Sequence, residues 1–95
     1  MMVTVYVSWE SHEILTEEQF KEEVKNLVEN IKEDACEYDG RLYNFLEEKH
    51  LDVIDLFYKS EADRLELRKE FEEWLVDDAR DQLLERTYDK VELEL

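Results

Sequence analysis

Outside a large set of carboxylates, the side chains suited to catalysis near neutral pH are two histidines and one cysteine. Glu47 and His50 form an E-x-x-H spacing, which on a helix puts both side chains on one face as in dinuclear carboxylate centres. Such centres draw on two copies plus further glutamates, and the chain holds one copy, so the pair reads as a surface Glu beside a helix-end His. Ser11, His12 and Glu13 supply a hydroxyl, a base and a carboxylate in adjacent positions, whereas working triads converge from separated positions. His12 reads as a loop residue. Cys36, between Asp34 and Glu37, has the wrong sign of neighbour for a nucleophilic thiolate and reads as a small packing residue.

Metal and phosphate chemistry fare no better. Aligning Gly40 with the obligatory sixth position of a calcium loop puts Ala35 at the first position and Leu46 at the twelfth, where carboxylates are needed. One glycine cannot build a phosphate-cradling loop, and no Cys/His cluster closes a zinc site. With 28 acids present, no carboxylate pair is singled out as a general acid and base. The reading is a non-enzymatic protein with no catalytic residue, cofactor or metal.

One arrangement is more specific than composition. On a helical wheel Glu66, Glu70, Glu73, Asp77, Asp81 and Glu85 form a drifting row opposite an apolar face, while Arg64, Arg68 and Arg86 fall toward that face. Four like-charge pairs four residues apart each cost roughly 0.2–0.5 kcal/mol in an isolated helix, so the row costs about 1–2 kcal/mol. At about 1.5 Å per residue the row spans roughly 28 Å, comparable to about eight nucleotides at 3.4 Å per phosphate. These six acids are the expected partner-binding residues. The bland alternative is that they are simply the solvated side of the helix.

The elements that must carry this row are legible from periodicity and caps. Ser60 with Asp63 marks the start of the longest helical pattern, running to about Arg86, with Leu67, Phe71, Trp74, Leu75, Ala79 and Leu83 inward and Leu65 and Val76 widening the apolar side. Thr16–Glu17–Glu18–Gln19 is a capping box, flanked by Leu15 and Phe20 as a hydrophobic staple. It opens a helix whose Phe20, Val24, Leu27, Val28, Ile31 and Ala35 keep helical spacing to about Tyr38. Asp39 and Gly40 are expected to turn the chain into a short second helix ending near Lys49, and Leu51 to Tyr58 is read as another short helix. Met2 to Trp9 alternates Val3, Val5, Val7 and Trp9 with polar residues, and Val91, Leu93 and Leu95 repeat the pattern, as half-buried strands do. The expected fold is α+β: a small single domain, residues 1–95, with two terminal strands sharing a sheet and a short third strand at His12 to Leu15. Two long amphipathic helices and one or two short ones should pack on the valine face.

Composition sets the remaining bounds. Ninety-five residues, 43% hydrophobic, suffice for one core that buries roughly 65% of the unfolded surface. A net charge of −16 excludes direct binding to nucleic acid by phosphate neutralisation and adsorption to an anionic membrane. A single cysteine, no signal-peptide pattern and no apolar run long enough for a membrane span suggest a cytoplasmic protein. In physical character such a chain is similar to the DNA-mimic inhibitors that phages and mobile elements direct against restriction, CRISPR or transcription machinery. That resemblance, one of type rather than motif, implies a basic, nucleic-acid-handling protein as partner. The rival expectation is a homodimer or other structural module in which Trp74, Val76, Leu84 and the strand edges supply the interface and the acids only confer solubility.

Overall fold

The alternating segment at the start of the chain becomes the middle strand of a three-stranded antiparallel sheet. The computed structural model describes Met1–Leu95, with elements β1 (Met2–Ser8), β2 (Glu13–Thr16), α1 (Glu17–Glu33), α2 (Ala35–Glu48), α3 (Val53–Phe57), α4 (Glu61–Arg86) and β3 (Asp89–Glu94). The sheet order is β2-β1-β3, so both the hairpin partner and the most distant strand pair with β1. This is the expected α+β domain, and the third strand forms where expected.

The helices cover the opposite face of the sheet from the one anticipated. Tyr6, opposite Leu15 and Lys90, points at α1 and stacks on Phe20, while Tyr88 meets Phe20 edge-on. Val3, Val5 and Val7 share the outer face with Ile14, Val91 and Leu93. Period-2 alternation marks two faces without saying which is inner. Here the large area of Tyr6 outweighs three valines, and the polar neighbour Ser8 can be buried because its hydroxyl accepts from the Ser11 hydroxyl at 2.7 Å and the Ser11 N–H at 3.3 Å.

Thr16 caps α1 with both bonds of the capping box, its hydroxyl accepting from the Gln19 N–H while the Gln19 side chain accepts from the Thr16 N–H. The helix stops at Glu33, five residues short of the expected end. Asp34 adopts φ −98° and ψ 105°, breaks the helix in one residue, and caps α2 by accepting from the Cys36 and Glu37 N–H groups. Gly40 therefore lies inside α2 rather than at a turn, and Cys36 is an exposed first-turn residue rather than a packing one. The segment after α2 is helical at α3 but buries no side chain.

Phe45, Phe71 and Trp74 form an aromatic cluster where α2 meets α4, and Leu75 and Ala79 lie fully buried beside it. Arg41 fastens the same contact, donating to Asp78 and, at 2.7 Å, to Gln82. Leu65 and Val76 are exposed instead of extending the inward face of α4. The molecule is elongated, 54 × 28 × 19 Å, because α4 alone is 26 residues long.

Candidate functional site

Ser60 starts α4 by accepting from the Asp63 N–H, and no proline or glycine interrupts the helix before Arg86. An unbroken helix is what can hold a row of charges in line. All six acids of the expected row, Glu66, Glu70, Glu73, Asp77, Asp81 and Glu85, are exposed.

Their surroundings differ along the helix. Glu66 has Lys69 at 3.9 Å, and Glu70 has Lys49, the residue that ends α2, at 3.1 Å. Glu73 and Asp77 stand on one rim of a cleft between α1 and α4. Asp81 and Glu85 edge a polar depression with Glu37, Arg41, Asp78, Gln82 and Arg86. The ion pairs of the molecule leave these last four acids without a basic partner within 4 Å. The neighbouring acids Glu72 and Asp78 are, by contrast, half-buried and neutralised, by Lys32 at 2.7 Å and by Arg41. The hydrogen bond and charge of Glu72 hold the Lys32 ammonium above its ordinary pKa, against a smaller opposing effect of burial. Charges that pack between helices are thus compensated, and those that point outward mostly are not.

The cleft itself was not anticipated. It encloses about 620 Å³, with Phe20, Val24, Val28 and Val76 among its apolar lining and Lys21, Lys25 and Arg80 at its edges. Val76, an exposed apolar residue beside Asp77, is the mark it leaves in the sequence. Lys25 and Arg80 make no ion pair, so the cleft is a nearly charge-balanced strip on a strongly acidic protein.

The residues considered for catalysis lie apart. His50 is at φ 57°, just past the end of α2, where its N–H donates to the Glu47 carbonyl and the Leu51 N–H to the Leu46 carbonyl. This is a Schellman cap, so the E-x-x-H spacing marks a helix end. His12, also at φ 57°, closes the four-residue hairpin loop between β1 and β2. No group of three or more His, Cys, Asp or Glu is placed to hold a metal ion, and no helix is long and apolar enough to cross a membrane. No protein-family model, curated protein or solved structure matches this chain.

Proposed function

We propose that this protein is a non-enzymatic binding module that presents the acidic surface of α4 to the basic site of a nucleic-acid-handling protein, in the manner of a nucleic-acid mimic. The observation that carries the reading is the run Glu73, Asp77, Asp81 and Glu85: four exposed carboxylates in succession on one helix, none with an ion-pair partner. Leaving them unpaired costs stability through like-charge repulsion that a lysine at any of several neighbouring positions would relieve. A basic groove would recover that energy on binding, and charge complementarity would speed encounter and make it salt-sensitive.

Affinity capture from the source cells tests the reading. The expected partner is retained by the wild-type protein at low salt, released by salt or by a competing DNA or RNA oligonucleotide, and lost with the double variant Glu73→Lys, Asp77→Lys. Capture that survives high salt, or that the double variant retains in full, overturns it.

A further inference from the structure

The strand register sorts charge as well as hydrophobicity. Glu13, Lys90, Glu92 and Glu94 are opposite Ser8, Tyr6, Thr4 and Met2, and so belong to the helix-side face of the sheet. The outer face carries Val3, Val5, Val7, Ile14, Val91 and Leu93, and its Ile14 is 69% exposed. Two polar side chains share that face, and both are already engaged. Thr16 accepts from the Gln19 N–H, and Asp89, at one end opposite Val7, accepts from the Trp9 indole N–H at 2.8 Å. Both lie at the margin of the face, Thr16 at the end of edge strand β2 and Asp89 at the start of β3, so the apolar middle can be covered while the Asp89 carboxylate and the Thr16 hydroxyl stay in water.

We propose that this face is the interface of a homodimer in which two copies stack sheet to sheet. The argument for a second copy is electrostatic. Two chains of charge −16 that met through α4 would set acid against acid. Pairing at the free edge of β3 would do the same with Glu92 and Glu94. Stacked back to back, the sheets lie about 10 Å apart with a helical layer of about 10 Å outside each. The two α4 rows then sit on the order of 30 Å apart, several times the screening length of about 8 Å at physiological salt.

The area fits a reversible association. Three strands of seven, four and six residues, about 4.8 Å apart, make a plate of roughly 270 Å². Side-chain relief and Trp9, 71% exposed at its end, bring the covered surface to about 450 Å² per copy, or about 900 Å² in all, the size class of weak, transient interfaces. The proposal does not depend on the acidic face having a partner, and the dimer would display two such faces on opposite sides.

Sedimentation velocity from about 1 μM to about 1 mM, at low and high salt, tests it. A concentration-dependent dimer that tightens with salt is expected, since salt screens the residual repulsion. Ile14→Lys with Leu93→Lys should raise the dissociation constant at least about tenfold while far-UV circular dichroism stays unchanged. Should the lysine pair unfold the chain, Ile14→Thr with Leu93→Thr preserves strand propensity and should still weaken the dimer. A monomer throughout, a dimer indifferent to the folded variants, or a dimer that salt dissociates overturns the proposal. Capture of a basic partner responds to salt in the opposite sense and to α4 substitutions, so the two readings fail separately.

Discussion

Tyr6 and Phe20 lie face to face, with ring centroids 3.8 Å apart and planes 6° from parallel. This one contact joins the central strand to the first helix. Aromatic pairs gain electrostatically from offset or edge-on geometry at about 4.5–7 Å, which the Phe20–Tyr88 pair adopts at 5.8 Å and 80°. The closer Tyr6–Phe20 stack is held by burial of both rings. Phe20→Ala should therefore cost about 3–5 kcal/mol, and with about 4–8 °C per kcal/mol for a domain of this size the melting temperature should fall by more than about 12 °C. A thermal melt showing a drop of a few degrees would mean that the ring is not a keystone of the sheet–helix junction.

The sole glycine and the left-handed position after α2 are mismatched. Gly40 sits in the body of α2 with open space where a Cβ would go, while His50 occupies a φ of 57° that glycine would accept without strain. Gly40→Ala should stabilise by roughly 0.5–1 kcal/mol, and His50→Gly by a similar amount. Urea denaturation checks both. A loss of stability in His50→Gly would show that the imidazole contributes a contact worth more than the backbone strain.

Alkaline pH should weaken the fold through two named groups. Burial, and then the 3.1 Å hydrogen bond to Glu13, raises the Tyr88 hydroxyl above its ordinary 10.0, and Glu72 raises Lys32 above 10.5. Both folded-state values exceed the unfolded ones, so the stabilisation is complete below about pH 10 and disappears as pH rises through the folded values. Urea midpoints should be flat from about pH 8 to about pH 9.5 and then decline, less steeply in Tyr88→Phe. An unchanged decline in that variant would remove Tyr88 from the account.

Salt should act in the stabilising direction. Raising ionic strength from about 0.01 M to about 1 M shortens the screening length from about 30 Å to about 3 Å and relieves repulsion along α4. Asp77 has like-charged neighbours at Glu73 and Asp81, so Asp77→Asn should gain about 0.4–1 kcal/mol at low salt and much less at high salt. A variant less stable than wild type at low salt would imply that Asp77 has a favourable partner on the folded surface.

The caps made much of this fold readable. Thr16 and Ser60 start their helices where their hydroxyls meet the third backbone N–H, a local bond that a short stretch of sequence specifies. Local rules failed where a choice was global. The break at Asp34 was hidden because the apolar spacing of α1 runs on past it to Tyr38, and because glycine at position 40 looked the better stop. Which face of β1 the helices cover was decided by the fit of Tyr6 to Phe20, a contact across 14 residues, rather than by alternation. The acidic row was legible because helical spacing alone places it. The cleft beside it depends on how α1 lies along α4, and the partners of Glu70 and Asp78 come from the end and the middle of the α2 segment, Lys49 and Arg41.

Strand order has a further consequence during synthesis. β1 meets β2 across a four-residue loop but pairs with β3 only once residues 89–94 exist. At about 5–20 residues per second, the roughly eighty residues between them take about 4–16 s to make. For that interval the nascent hairpin holds Val3, Val5 and Val7 on a strand with one open edge, which only the last strand to be made can close.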